Sequence, residues 1–326
     1  MVEIPLQTRR IPASRLAFGC MGLAENWDAV PLTEGDRKRA YAAIEAALSI
    51  GITFFDHADI YCRTKSEALF GEWLAAHPGE RDKLVLQSKC GILLREPGRP
   101  EHYNLSRDHI LQSVDGTLKR LGTEYLDILL LHRPDPLLEP DEIAEAFLAL
   151  TSAGKVRHFG VSNMNVPQMK FIQRAISQPL VVNQLRMGLD HLDFLNQGLW
   201  VNRREGEAVS FGEGILEYCQ TEGIQLQAWG PLSQGKYSGR PTAGGDEATA
   251  RAAAYAAELA RRYETTPEAV VLGWLMKHPA KVQPIIGSAT PERIIACGDA
   301  ASIADKLTRE EWYRLYYSAR GDVPLD

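Results

Sequence analysis

The chain has 326 residues, of which 45% are hydrophobic and 24% are charged, and its formal net charge is -6. This composition is typical of a globular protein, and the acidic balance without any block of basic residues argues against binding to nucleic acid. No run of about 18 apolar residues occurs, so we expect no membrane-spanning helix and no membrane partner.

The five cysteines are scattered, and no two of them form a C-x-x-C pair. Such a set predicts neither a disulfide framework nor a zinc knuckle, and it is typical of a reducing compartment. The first ten residues lack the apolar core of a signal peptide. We therefore expect a cytoplasmic protein.

The predicted elements begin with two short β-type pieces, 4–6 and 16–18. Thr33, with Asp36 three residues later, is typical of a helix N-cap, and the apolar periodicity that follows predicts a helix ending at Gly51. The apolar run 52–55 then stops at the carboxylate of Asp56. A run of this kind predicts a buried strand of a parallel sheet.

Strands and helices continue to alternate along the chain. Further strands are predicted at 83–89, 125–131, 158–162, 180–185, 225–229 and 282–286. Helices are predicted at 66–76, 106–121, 141–153, 166–177, 211–222, 247–263, 267–278 and 291–300, with a final helix at 308–318. Loops are expected at 186–210 and 230–245.

This order gives eight strands, each followed by a helix, and alternation of this kind predicts a parallel sheet with right-handed crossovers. A doubly wound fold that binds a dinucleotide would carry G-x-G-x-x-G after its first strand, and that pattern is absent. No linker divides the chain. The prediction is an α/β protein, a single (β/α)8 TIM barrel spanning 1–326 with an extra C-terminal helix.

Three predicted strands end at a titratable side chain. Asp56 follows 52–55, Lys89 ends 83–89, and His132 follows 125–131, while Tyr61 lies in the loop after Asp56. In a barrel of parallel strands, the carboxyl ends meet on one face, where the active site lies. We therefore expect these four side chains to come together.

The D-x-A-x-x-Y spacing of Asp56, Ala58 and Tyr61, with Lys89 and His132, resembles the catalytic tetrad of the aldo-keto reductases. The resemblance runs from about residue 15 to 293, with further matches at Gly160–Asn163, Asn183–Gln184, Gly287–Ser288 and Arg293. It implies an N-terminal β-hairpin that caps the barrel bottom. It also implies an enzyme that reduces an aldehyde or ketone, with a small-molecule carbonyl compound as substrate. We expect a monomer or weak homo-oligomer.

These residue types suit carbonyl reduction. The nascent alkoxide needs a proton, and a free tyrosine, with a pKa of about 10, is a weak acid at neutral pH. Lys89 would lower the pKa of Tyr61, and Asp56 would hold Lys89 charged. His132 would donate a hydrogen bond to the substrate carbonyl. Taken singly, each of these residues also fits a structural role at the barrel rim.

The resemblance further implies NADPH as cofactor, with NADH bound more weakly. Ser162, Asn163 and Gln184 match a clamp on the nicotinamide carboxamide, and Trp229 matches a stacked ring, although a core tryptophan would also fit there. Gly287 stands where a lysine is frequent in the family, which leaves Ser288 and Arg293 for the 2′-phosphate. The cofactor residues expected are Gly19, Cys20, Met21, Asp56, Ser162, Asn163, Gln184, Trp229, Gly230, Leu232, Gln234, Gly235, Gly287, Ser288 and Arg293.

Two alternatives stay open. His57-x-Asp59 resembles the start of the metal site in barrel hydrolases, but a catalytic zinc needs three protein ligands and the other histidines are dispersed. The second alternative is a regulatory subunit on the same scaffold that binds the nicotinamide cofactor and turns over slowly. Substrate choice would come from loops 21–31, 91–104, 133–140 and 186–210.

Overall fold

The computed structural model describes residues 3–28, 30–239 and 246–321. Eight parallel strands close into a barrel in which each strand pairs with its neighbour in the chain and the eighth pairs with the first. The predicted (β/α)8 barrel is confirmed. The barrel strands are Ala17–Gly19, Phe54–Asp56, Val85–Cys90, Leu126–Leu131, Val156–Ser162, Leu180–Arg186, Gln225–Trp229 and Gln283–Ile286.

Helices surround the barrel, as the alternating pattern predicts. They are Glu34–Ser49, Lys65–Ala76, Arg107–Leu121, Pro140–Ser152, Val166–Gln173, Asp193–Leu199, Ile215–Thr221, Glu247–Arg262, Pro267–Met276, Pro291–Ile295, Ala300–Lys306 and Arg309–Arg320. The Thr33 hydroxyl accepts a hydrogen bond from the backbone N–H of Asp36, which begins the first of these helices as expected.

The extra C-terminal helix, Arg309–Arg320, is confirmed. It packs against Pro267–Met276 through Trp312 and Trp274, whose rings stack with centroids 5.3 Å apart. Each indole N–H donates to the other residue's backbone carbonyl, at 3.0 and 2.9 Å. The helix is therefore fixed to the barrel wall by both apolar burial and paired hydrogen bonds.

The predicted N-terminal β-hairpin is wrong, because residues 5–8 form a short helix. Pro5 occupies the first helical turn, where its missing N–H costs nothing, and the Gln7 side chain accepts from the backbone N–H of Ile4 at 3.0 Å. The segment still closes the barrel bottom. Ile4 and Leu6 are buried, and the Arg9 guanidinium donates to the carbonyls of Gly223 and Glu222.

Several connections carry more structure than predicted. Ile92–Leu93 and His102–Tyr103 pair as an antiparallel hairpin in the loop after the third strand. The expected loop 186–210 contains the helix Asp193–Leu199 and a 3-10 turn, Arg204–Ala208. The expected helix 291–300 ends at Ile295, and a second helix begins at Ala300. Residues 240–245 of the predicted glycine-rich loop lie outside the described residues.

The barrel interior contains an apolar cluster formed by the strands and the N-terminal segment. Its members are Ile4, Leu6, Ile11, Ala13, Ala17, Phe54, Val85, Ile128, Leu130, Val181, Val182 and Ile285. A larger cluster fills the space between the barrel and the helices. The interior of the barrel is therefore packed, and the open carboxyl ends of the strands are left to form a site.

Candidate active site

Lys89 lies at the centre of the site. Its side chain is fully buried, and its ammonium donates three hydrogen bonds, to Asp56 Oδ2 at 2.8 Å, the His57 carbonyl at 2.8 Å and Tyr61 Oη at 2.9 Å. The three ammonium protons are thereby all used. The strand ends thus bring Asp56, Lys89 and Tyr61 together, as the sequence predicts.

The Asp56 carboxylate keeps the buried ammonium charged. Burial alone would lower the pKa of Lys89, but the charges and hydrogen bonds of Asp56 and Tyr61 outweigh it and the pKa is raised. A buried ammonium without such partners would lose its proton. Lys89 therefore remains a cation beside the phenol.

The pKa of Tyr61 moves in the direction opposite to the one expected from sequence. Burial raises it above the usual value, and the charge and hydrogen bond of Lys89 oppose this shift without reversing it. The phenol therefore stays protonated at neutral pH, which is the form that a proton donor requires. Lys89 reduces the cost of the phenolate that remains after the proton has left.

His132 lies beside the phenol, with ring centroids of Tyr61 and His132 6.1 Å apart and the planes nearly perpendicular. Burial, and then the charges of Lys89 and Arg133, hold the pKa of His132 well below its ordinary value. A neutral imidazole can donate one hydrogen bond to an oxygen without placing a second cation beside Lys89.

The second oxygen of Asp56 binds two amides. Gln87 Nε2 donates to Asp56 Oδ1 at 2.6 Å, and Gln184 Nε2 donates to the same oxygen at 3.2 Å. Both amides also donate to Gln227 Oε1, at 2.9 and 3.1 Å. Gln87 and Gln227 were not among the site residues predicted from the sequence. Gln87 precedes Lys89 by two positions, and the two-residue period of a strand places both on the inner face.

The residues expected to hold the nicotinamide form a connected group at the ends of strands five to seven. Ser162 Oγ donates to the Gln184 carbonyl at 2.9 Å. Asn163 donates through Nδ2 to Ser162 Oγ at 2.8 Å and accepts through Oδ1 from Trp229 Nε1 at 3.1 Å. Asn163 also has a positive φ of 57°. Strained non-glycine backbone of this kind is found at ligand sites.

The loop after strand seven is strained as well. Gly230, Ser233, Gln234 and Gly235 all have positive φ, including 50° at Ser233 and 58° at Gln234. Ser233 Oγ donates to Asp190 Oδ1 at 2.5 Å, which ties the loop to the segment after strand six. Leu232 is partly buried against the core. Residues 230–235 are therefore anchored to the segment after strand six and to the core.

The remaining expected cofactor residues lie where the first and eighth strands meet. A Cβ on Gly19 would come within 4.0 Å of the Gly287 Cα, and a Cβ on Gly287 would meet nothing within 4 Å. Cys20 is buried, whereas Met21 is 51% exposed. Ser288 Oγ accepts from the backbone N–H of Thr290, and Arg293 is exposed on the next helix. A Cβ at Gly287 would therefore meet open space, and Arg293 is a surface cation six residues later in the chain.

His57 and Asp59 lie in different surroundings. His57 is buried with Nε2 3.4 Å from Cys20 Sγ, and burial followed by the charge of Lys89 lowers its pKa to about 3. Asp59 lines a cavity of about 720 Å³ together with Ile92 and Leu93 of the hairpin. Burial, aided by Glu67, raises the pKa of Asp59 to about 7. Among the described residues, no three His, Cys, Asp or Glu side chains converge as metal ligands.

Within 3–28, 30–239 and 246–321, none of the helices combines the length and apolar character needed to cross a bilayer.

The family model, the relatives in sequence and the similar structures all indicate the same protein family. The model of the aldo/keto reductase family matches residues 15–316. The chain is 38% identical to an uncharacterized oxidoreductase, YcsN, of Bacillus subtilis, over 86% of this chain and 88% of that protein. It is 34% identical to a 6-dehydroglucose reductase of Agrobacterium fabrum, over 96% of each chain. Its fold is similar to that of an aldo-keto reductase from Klebsiella pneumoniae in complex with NADPH, with a TM-score of 0.72 at 22% identity, covering 97% of this chain and 94% of that one.

Proposed function

The chain belongs to the aldo/keto reductase family, and on this premise we propose that it reduces an aldehyde or ketone to an alcohol with NADPH. One observation carries the proposal: a fully buried ammonium, Lys89, is hydrogen-bonded to both Asp56 and the phenol of Tyr61. Burying an ion pair is costly, so a pair aimed at a phenol at the catalytic face favours a catalytic role over a purely stabilising one.

The geometry supports a separate role for each of these residues. His132 and Tyr61 would each donate a hydrogen bond to the substrate carbonyl oxygen, and so stabilise the negative charge that develops on it. Tyr61 would then give its proton to that oxygen, and Lys89 would stabilise the resulting phenolate. Asp56 would keep Lys89 charged throughout. Both groups can donate at neutral pH. The phenol keeps its proton because its pKa is raised, and the imidazole, which is neutral because its pKa is lowered, still carries one N–H.

The polar group formed by Ser162, Asn163, Gln184 and Trp229 fits a nicotinamide. Hydroxyl and amide side chains can both donate to and accept from a carboxamide, and the indole offers a flat apolar face. When bound, NADPH supplies the hydride that the carbonyl carbon receives. Arg293 and Ser288 would hold its 2′-phosphate, and the strained loop 230–235 would cover its pyrophosphate.

The proposal is tested by turnover. Purified protein with NADPH is given a panel of carbonyl compounds, including aromatic aldehydes, aliphatic ketones and 6-dehydroglucose, the substrate in the name of the Agrobacterium relative. Steady NADPH oxidation that depends on both substrate and Tyr61 supports the enzyme. Tight NADPH binding with turnover no faster than in the Tyr61→Phe variant would instead support the regulatory subunit.

A further inference from the structure

A continuous chain of buried amides runs through the barrel interior. Gln87 and Gln184 each join Asp56 Oδ1 to Gln227 Oε1, Gln227 Nε2 donates to Gln283 Oε1 at 2.9 Å, and Gln283 Nε2 donates to the Ser14 carbonyl at 2.6 Å. Ser14 lies just before the first strand, at the opposite end of the barrel. The chain therefore connects the catalytic carboxylate to backbone at the barrel bottom.

Filling the barrel interior with these amides costs more free energy than filling it with apolar side chains. The interiors of such barrels are packed mainly by Val, Ile and Leu, and a buried amide costs free energy unless each polar atom has a partner. Gln87, Gln184, Gln227 and Gln283 are all buried, and Gln87 Oε1 has no hydrogen-bond partner within the described residues. Apolar side chains would stabilise the fold at least as well, so stability alone does not account for the amides.

The two ends of the chain determine how its amides are oriented. The Asp56 carboxylate and the Ser14 carbonyl can only accept hydrogen bonds, so each amide between them has a defined direction. Gln227 Oε1 accepts from both Gln87 and Gln184, which keeps both NH2 groups turned toward Asp56 Oδ1. Asp56 Oδ2 is left facing the Lys89 ammonium.

Building on the function proposed above, we propose that Gln87 and Gln227 are positioning residues for the proton-transfer group. They hold the Asp56 carboxylate in the orientation that directs Lys89 to the phenol of Tyr61. Gln87 binds the carboxylate directly, and Gln227 acts one step further away by orienting the Gln87 and Gln184 amides. Gln184 shares this task but also lies in the expected nicotinamide clamp, so its substitution cannot separate the two roles.

Removal of the Gln87 donor has a defined electrostatic consequence. The negative charge of Asp56 raises the pKa of Tyr61, and the Lys89 ammonium lowers it. Without the Gln87 N–H, more of the Asp56 charge is unshielded, and the carboxylate holds Lys89 more strongly. Both changes make the phenolate harder to form, so the pKa of Tyr61 moves further up.

The test compares Gln87→Met and Gln227→Met with the control Gln225→Met. Gln225 is also buried, and its Oε1 has no hydrogen-bond partner in the part of the chain that the structure describes. Its Nε2 donates to the backbone carbonyls of Lys281 and Leu226, at 2.8 and 2.9 Å. Methionine keeps the length of the side chain and removes the amide. The three variants therefore lose the same kind of buried group, which is bonded to Asp56 itself in Gln87, to the Gln87 and Gln184 amides in Gln227, and to backbone carbonyls in Gln225.

Three quantities are measured for each variant: the melting temperature, the pH profile of kcat for reduction, and the midpoint of tyrosinate absorbance assigned to Tyr61 by difference from Tyr61→Phe. Loss of a hydrogen bond to a charged group is worth roughly one to two powers of ten in an equilibrium or rate. We expect kcat to fall about ten- to a hundredfold in Gln87→Met and less in Gln227→Met. In both, the alkaline limb of the profile and the tyrosinate midpoint move to higher pH, whereas Gln225→Met leaves them in place.

Equal behaviour of all three variants, or an unmoved tyrosinate midpoint in Gln87→Met, overturns the positioning role. If Gln87→Met does not fold, Gln227→Met decides the question by the same readouts. A parent protein that reduces no carbonyl compound would contradict the proposed function. The tyrosinate titration would still report whether the amide chain controls Tyr61, so the two failures are distinguishable.

Discussion

The barrel interior combines two groups of side chains with opposite chemistry, often on the same strand. Phe54 belongs to the apolar cluster and Asp56, two residues later, binds Lys89. Val85 is apolar, while Gln87 and Lys89 follow it on the same face of strand three. The boundary between the apolar and the polar part of the barrel interior therefore lies within two residues along a strand.

The two groups also differ in how they tolerate change. The apolar cluster gains its free energy from burial, so its members can be exchanged for others of similar volume at modest cost. The polar group depends on particular donors and acceptors at 2.6–3.2 Å, and the loss of one leaves a buried charge or amide unsatisfied. Substitutions in the polar group should therefore change catalysis, and substitutions in the apolar group should change stability.

The largest expected effect is that of Tyr61→Phe. It removes the proposed proton donor and keeps the ring, so reduction should slow by ~10²–10⁴, the usual worth of general acid catalysis. NADPH affinity should change little. Tyr125→Phe is the control, because it removes a hydroxyl that donates to Asp82 at the surface. A loss of less than roughly tenfold for Tyr61→Phe would exclude this residue as the acid.

Lys89→Met should come next, with a loss of kcat in the same range of ~10²–10⁴ because Tyr61 loses the cation that stabilises its phenolate. The pKa of Tyr61 should rise, so the alkaline limb of reduction moves to higher pH. Removal of one partner of a buried pair also destabilises by about 3–5 kcal/mol, so the melting temperature should fall too.

Lys155→Met is the matched control, since it breaks a surface ion pair with Asp115 that is worth little. An activity–pH profile of Lys89→Met that overlaid the parent's at a similar rate would make Lys89 a structural residue.

Phe54→Ala tests the apolar group. Phe54 is fully buried in the apolar cluster, and truncation of a buried Phe costs about 3–5 kcal/mol in the free energy of unfolding. Below the melting temperature, kcat should stay close to the parent's. Phe171→Ala serves as control, because Phe171 is 46% exposed and its loss should cost little. A selective loss of kcat in folded Phe54→Ala would mean that the two groups are mechanically coupled.

The sequence predicted the barrel because each apolar run and each helical period is a local pattern that the closed fold leaves unchanged. The positions of Asp56, Lys89 and His132 followed from the same patterns, because a charge at the end of an apolar run marks where a strand leaves the core. The resemblance to the aldo-keto reductases then supplied their expected roles, and the hydrogen bonds of Lys89 are consistent with those roles.

What could not be predicted depends on contacts between distant parts of the chain. Ile4 and Leu6 look like a strand, yet Pro5 and the Gln7 side chain make a helical turn that packs under the barrel. The net rise in the pKa of Tyr61 reflects burial, which sequence does not give. Gln87 and Gln227 lie 140 residues apart, and only barrel closure joins their amides.

The smallest expected effect is that of Arg293→Ala at the rim of the barrel. Arg293 is exposed, and it is proposed to favour the binding of NADPH over that of NADH. A charge-assisted hydrogen bond is worth roughly 1.5–3 kcal/mol, or about one to two powers of ten in affinity. Arg293→Ala should weaken NADPH by about this factor and leave NADH almost unchanged, because only NADPH carries the 2′-phosphate. Added salt should reduce the difference between the NADPH and NADH affinities, because Arg293 lies at the surface and its attraction to the 2′-phosphate is screened.

Gly287→Lys tests recognition of the same phosphate by adding a cation instead of removing one. A Cβ at Gly287 meets nothing within 4 Å, so a side chain can start there without a clash. A lysine at this position should tighten NADPH binding but not NADH binding. Arg309→Ala is the control for the loss of one exposed positive charge. Titrations of both cofactors, followed by tryptophan fluorescence, measure all four proteins. If Arg293→Ala weakened NADPH and NADH equally, Arg293 would support the adenine or the fold, and another residue would have to recognise the 2′-phosphate.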